Sequence, residues 1–188
     1  LAMIHICKFE ENTKCYLVRF YEILEEMIRS MGAAELTDSL SHNFIVQMIP
    51  HHMAAVDMSK NLLQYNPCAP LRTIAENIIT MQEQGIQEMT EALKCCYKPE
   101  SSSQDLCLYQ HRFQQITQNM FAEMNNACSD NNISANFMRE MIPHHQGAIY
   151  MSENALRYCI CPQLQPILEN IIVSQRQEVR EMNRLLGC

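Results

Sequence analysis

The sequence predicts an all-α fold, a four-helix bundle built from two tandem three-helix repeats, with two shorter helices flanking it. Three observations carry that prediction. Apolar residues recur at helical spacing in six stretches, no segment alternates with period two over a useful length, and the second half of the chain repeats the first. Only four Gly and seven Pro stand among 188 residues, too few for the turn density of an all-β protein.

A shift of 93 residues aligns 16–95 with 109–188 without a gap, and 34 of the 80 aligned positions are identical. The matches include Tyr16/Tyr109, Phe20/Phe113, Met27/Met120, Phe44/Phe137, Met58/Met151 and Glu88/Glu181. A gapless duplication means that one supersecondary unit is used twice. The polar stretch YKPESSSQD, at 97–105, is the natural joint. We therefore expect a single domain over 1–188, with internal repeats 16–95 and 109–188 related by a pseudo-two-fold.

The first helix is expected at about 15–31, where Tyr16, Phe20, Ile23, Leu24, Met27 and Met31 fall on one face and Gly32 ends the run. The second starts within 37–41, which offers several N-cap residues, and continues to about 65, ahead of Pro67. The third has Pro70 in its first turn, where proline is tolerated, and ends near 93. The second repeat gives the matching helices 106–125, 133–158 and 163–186. Short connections make sequential helices antiparallel. Neither repeat alone offers enough facing surface for a stable bundle, so the four longer helices pack together and the first helix of each repeat lies at the side.

Composition narrows the function. With 47% apolar and 19% charged residues the chain suits a folded globular protein. Its balance of 14 basic against 21 acidic residues, with no Lys/Arg cluster, argues against nucleic acid and anionic membranes as partners. No apolar run approaches the roughly 20 residues needed to cross a bilayer. Ten cysteines without a CxxC pair point to disulfides in an oxidising compartment. The expected location is extracytoplasmic, secreted or in a cell envelope, with a leader or anchor already removed.

The stretch MIPHH occurs twice, at 48–52 and 141–145. At 100° per residue, with Met48 at zero, His51 lies about 60° to one side of the inward stripe and His52 about 40° to the other. Both imidazoles are therefore expected to look at least partly inward, with a thioether between them, and the same holds for Met141, His144 and His145. Pro50 cannot donate to the Val46 carbonyl, nor Pro143 to that of Arg139, so each helix is expected to kink rather than break. Folding the third helix back through Pro67 brings His51 opposite about position 83 and Met48 opposite about 86. Gln82 and Met89 then come within range, as do Gln175, Glu178 and Met182 in the second repeat. If the repeats pair about a two-fold, all four histidines reach one central level. His5, His42 and His111 have no counterpart and are assigned to the surface.

Imidazole and thioether donors with few carboxylates suit copper best, as Cu(I) (or its mimic Ag(I)) or Cu(II), with zinc as an alternative. A dinuclear iron site would need several inward carboxylates and Glu-x-x-His spacing, which the chain lacks; Gln47 and Glu140 precede the histidines at another spacing. The bland alternative is that these histidines only hydrogen-bond across a core and the methionines only pack.

NFMREMIPHHQGAIYMSENAL (136–156) and ILENIIVSQRQEVREMNRLL (167–186) resemble the domain of unknown function 305 family, whose pattern is His-His-x-x-Ala-x-x-Met followed by Gln-x-x-Glu-(Ile/Val)-x-x-Met. The second repeat matches it at His144, His145, Ala148, Met151, Gln175, Glu178 and Met182. The first matches at His51, His52, Ala55, Met58, Gln82 and Met89 but carries Gly85 in place of Glu. The resemblance implies a ferritin-like bundle, frequent export and, in some members, copper or silver binding in bacterial envelopes.

The cysteines lie outside that pattern. Cys68 and Cys95 flank a helix of about 38 Å, too long for them to bond each other. A two-fold suggests Cys68–Cys188 and Cys95–Cys161 as matched bridges between repeats, with thiolate metal binding as the rival.

The function expected is metal binding without catalysis: buffering, sequestering or transferring copper-like ions, alone, as a homo-oligomer or with a transfer partner. Its ligands would be His51, His52, His144 and His145, assisted by Met48, Met141, Met89, Met182 and Glu178. The alternatives are a ferritin-like redox enzyme using iron or manganese, and a structural or interaction module.

Overall fold

The computed structural model describes residues 8–187. They form six α-helices and no strand: α1 (Glu11–Gly32), α2 (Leu40–Leu63), α3 (Ala69–Ala92), α4 (Ser103–Asn125), α5 (Ile133–Ala155) and α6 (Gln165–Leu186). Side-chain caps set three of the starts. Ser39 accepts from His42 N, Ser102 from Asp105 N and Asn132 from Ala135 N, each at 3.1 Å, satisfying amides that the helix itself leaves open. The flanking helices are not the shorter ones: α1 has 22 residues and α4 has 23, against 22 to 24 in the other four. The Ser102 cap adds a polar first turn to α4, which apolar periodicity cannot register.

Within each half the middle helix packs against both neighbours, α2 against α1 and α3, and α5 against α4 and α6. The halves meet mainly through α2 against α5 and α3 against α6, with a lighter contact of α1 with α4. Side chains from all six helices share one hydrophobic core. No helix among the described residues is long and apolar enough to cross a membrane.

The same bonds recur at positions 93 residues apart. The Asn43 side chain bonds Thr37 N and Thr37 O at 2.7 and 2.9 Å, and the Asn136 side chain bonds Asp130 N and Asp130 O at 3.0 and 2.7 Å. Asn61 and Asn154 each donate to the backbone carbonyl of a tyrosine, Tyr16 or Tyr109, at 3.1 Å. Lys60 pairs with Glu83 between α2 and α3, while between α5 and α6 the pair is Glu153 with Arg176, the signs reversed.

Pro50 and Pro143 lie inside α2 and α5, which continue through them. Beside each proline a cleft opens toward the flanking helix, floored by Met27 in one half and Met120 in the other. Gly147 admits Met120 closely there, since a Cβ would overlap its thioether.

The cysteine expectation needs correction. Cys161 bonds Cys96, with Cα atoms 5.4 Å apart, and Cys95 is exposed. After α3 the chain keeps turning, with Cys95 N and Cys96 N both donating to Ala92 O at 3.0 and 2.9 Å. One residue of that turn rotates a side chain by about 100°, so Cys96 faces the core and Cys95 faces out. The start of α2 holds both partners: Ser39 Oγ donates to Cys96 O at 3.2 Å, and Ser41 Oγ accepts from Cys161 N at 2.8 Å. The Cys68–Cys188 expectation rests on Cys188, which lies outside the described residues, as does His5.

The bond joins positions 65 residues apart, so Cys96→Ser/Cys161→Ser should cost about 2–4 kcal/mol. Thermal melts should show a clear fall in Tm for that double variant and none for Cys95→Ser.

Candidate functional site

His51 and His52 sit midway along α2, and His144 and His145 midway along α5, where the two helices cross. All four are enclosed, His52 most exposed at 2%. The rings of His51 and His144 stack across the seam, centroids 3.7 Å apart and planes 26° from parallel. His52 and His145 lie outward of the stack, 6.1 and 5.8 Å from their chain neighbours. The four imidazoles thus share one level. Equivalent positions of the two repeats, 93 residues apart, thus meet ring to ring at the seam.

The hydrogen bonds are not symmetric. His144 Nε2 lies 3.1 Å from the His51 carbonyl oxygen and donates to it. His145 Nε2 lies 2.7 Å from Glu178 Oε2 on α6. In the first half Gly85 takes the place of that carboxylate, and a Cβ there would sit 3.0 and 3.1 Å from His52 Cδ2 and Nε2. Glycine makes room for the imidazole itself. The contact also sets the register of α3 on α2: His52, rather than His51, meets α3 at this level, and it meets Gly85.

Met48, Met141, Met89 and Met182 are fully buried in the same core. Met48 and Met141 stand one turn before His52 and His145, on the same faces. Glu178 is held by His145 and so serves as its orienting partner. His111 is exposed, while His42 is half-buried, with an enclosed and unpartnered Nδ1.

Most of the ring nitrogens at the seam lack partners. His51 Nδ1 and Nε2 and the Nδ1 atoms of His52, His144 and His145 are enclosed without a close hydrogen bond, although the His144 carbonyl faces His51 and the Met48 carbonyl faces His52; the side-chain oxygens of Gln82 and Gln175 are likewise enclosed and unpartnered. Leaving such a group unsatisfied costs about 1–3 kcal/mol, so their concentration at one level calls for a physical reason. Burial, reinforced by repulsion between neighbouring imidazoles, holds His51 and His144 well below the ordinary histidine value and brings His52 to about 3. These rings are neutral. Among the described residues no three His, Cys, Asp or Glu side chains group so as to hold a metal ion. An ion here would need donors of other types, and the same core encloses thioethers and carboxamides.

A second polar contact crosses the seam, and sequence reasoning did not assign it. Tyr16 on α1 donates to Glu140 Oε2 on α5 at 2.5 Å, with both side chains buried. Burial pushes the Glu140 carboxyl up to about 8, against the smaller opposing effects of Tyr16 and Arg139. The counterpart of Glu140 is Gln47, which bonds Gln110 at 3.5 Å and leaves the Tyr109 hydroxyl unpartnered. The available signal was a tyrosine retained in both repeats opposite a position that differs between them.

Residues 41–186 match the family model described as Domain of unknown function (DUF305). The chain belongs to the DUF305 family. A solved structure described as a crystal structure of a DUF305 fragment from Deinococcus radiodurans is 25% identical, with a TM-score of 0.56 over 77% of this chain and 93% of that one. No curated protein matches.

The buried groups give this DUF305 protein a characteristic pH profile when metal-free. Histidines held below their ordinary 6.5 stabilise the fold above that pH, and the stability is lost as pH falls from 6.5 toward 3. Glu140, raised from 4.5 to about 8, keeps a proton that the unfolded chain releases, so its contribution to stability falls as pH rises through that window. Denaturant melts should therefore find greatest stability near pH 6.5. Glu140→Gln should flatten the alkaline side, by about 1.4 kcal/mol per pH unit at most, and match the parent at about pH 4.

Proposed function

We propose that this DUF305 protein binds soft, copper-like metal ions at the seam between its halves and buffers, sequesters or transfers them without catalysing a reaction. The observation that carries the reading is the set of five enclosed ring nitrogens without a close hydrogen bond in a core that also holds buried thioethers. Neutral imidazole and thioether are donors that suit Cu(I). A soft monovalent ion accepts low coordination numbers, so two imidazoles supplemented by Met48, Met141, Met89 or Met182 would suffice although, among the described residues, no three His, Cys, Asp or Glu side chains gather. Rings held neutral also offer no competing proton, which weakens the pH dependence of affinity.

His51 and His144 would supply donors on the pseudo-axis, and His52 and His145 the outer ones. Glu178 fixes His145 through Nε2 and leaves Nδ1 as its donor, the arrangement by which a carboxylate orients a ligating imidazole. The stacked rings set their lone pairs side by side, so sharing one ion requires a ring to turn. Copper is favoured, with zinc or iron as alternatives. The buried acidic side chains among the described residues, Glu140 and Glu178, are both engaged by other groups, which weighs against a dinuclear carboxylate enzyme. The Cys96–Cys161 bond supports an oxidising, extracytoplasmic setting.

Cu(I) titration of the purified full chain, with exposed thiols alkylated, tests the proposal. Tight binding is expected in the parent, and its loss when His51, His52, His144 and His145 are all replaced by Ala. Glu178→Gln should weaken binding by about tenfold to a hundredfold. Unchanged affinity in the fourfold variant, or a melting temperature indifferent to metal, would leave the histidines as core residues only.

A further inference from the structure

We propose that the carboxamide oxygens of Gln82 and Gln175, together with His51 and His144, make the axial part of this site a mixed nitrogen–oxygen site for divalent copper. The inference rests on the metal reading above and adds ligands and an oxidation state to it.

Two observations on α3 and α6 point there. Both glutamines are buried, 2% exposed each, and both Oε1 atoms are enclosed and unpartnered. A carboxamide oxygen held in a core without a donor is costly unless an ion or a water satisfies it. The glutamines also stand 93 residues apart, like the stacked histidines. Cys96, just past the end of α3, bonds Cys161, just before the start of α6, so the two helices run antiparallel, and residues 84–95 share a cleft with 163–170. Continued along the helices, that register puts Gln82 opposite about position 174, so Gln82 and Gln175 face one another near the pseudo-axis. The α2–α3 contact at His52 and Gly85, one turn from Gln82, ties this level to that of the histidines.

The axis thus carries unpartnered nitrogens from α2 and α5 and unpartnered oxygens from α3 and α6. Once one of the stacked rings turns, two imidazoles with two neutral oxygens match the tetragonal nitrogen–oxygen preference of Cu(II), whereas thioethers favour Cu(I). Carboxamides add no charge, so the metal's charge stays uncompensated except by Glu178.

The probe is Cu(II) alone, added to thiol-alkylated full chain and read by EPR and by competition affinity, with Cu(I) measured in parallel. Gln82→Leu/Gln175→Leu keeps side-chain volume and removes the unpartnered oxygens, so the metal-free melting temperature should hold or rise. Cu(II) affinity should fall by about tenfold to a hundredfold or more, at least what loss of an outer-shell partner costs, with a changed EPR signal. Cu(I) affinity should stay within about twofold, because thioether and imidazole donors remain. Unchanged Cu(II) affinity and spectrum would overturn the inference. So would an equal loss of both ions, or a fall in metal-free melting temperature with Cu(II) binding intact, which would mean the carboxamides hold a structural water. If the parent takes Cu(I) but not Cu(II), this inference alone fails. If it takes neither, the metal reading fails with it.

Discussion

Everything at the centre of this protein depends on one contact between like groups. His51 and His144 lie face to face at 3.7 Å where α2 and α5 cross, and each belongs to a different half. Polar rings enclosed this way cannot draw on water, so they stay neutral and their nitrogens go largely unanswered. The cost is carried by the apolar core around them, in which Phe44, Phe137, Tyr16, Tyr109, Met48, Met89, Met141 and Met182 are all enclosed. The prolines contribute locally: each removes a backbone donor one residue before the histidine pair, loosening the turn from which the rings project.

The helices were readable because their apolar faces recur at helical spacing, and the meeting of four histidines was readable because each pair lies midway along its helix, where two paired copies bring like positions together. Other features were not. The length of α4 depends on a polar turn capped by Ser102, which leaves no trace in apolar periodicity. The choice of Cys96 over Cys95 turns on a rotation of a single residue past a helix end. The Tyr16–Glu140 contact joins residues 124 apart in only one of its two equivalent places, so the repeat itself hid it. Glu178 stood out in the sequence as a donor for metal; its bond to His145 is a tertiary fact that helical spacing alone does not determine.

Duplication would have produced two equal halves, and at the site they are unequal. Glu178 faces Gly85 across the alignment, and Glu140 faces Gln47. Both carboxylates belong to the second repeat, so one end of the polar layer carries acidic groups and the other carries space and amides. A symmetric scaffold has become a directional one, with His145 locked by a strong partner and His52 packed against bare backbone.

The reversed pairs on the outer faces bear on how the chain sorts itself while folding. With Lys60 beside Glu83 and Glu153 beside Arg176, each outer helix has a matching sign only on its own neighbour. Trading α3 for α6 would set Lys60 against Arg176 and Glu153 against Glu83, like against like. Tandem repeats are prone to such mistaken assembly, and mutual repulsion in the wrong arrangement discriminates as well as attraction in the right one. Each pair is exposed and worth no more than about 1 kcal/mol, so these four charges bias the sorting of the outer helices rather than fix it.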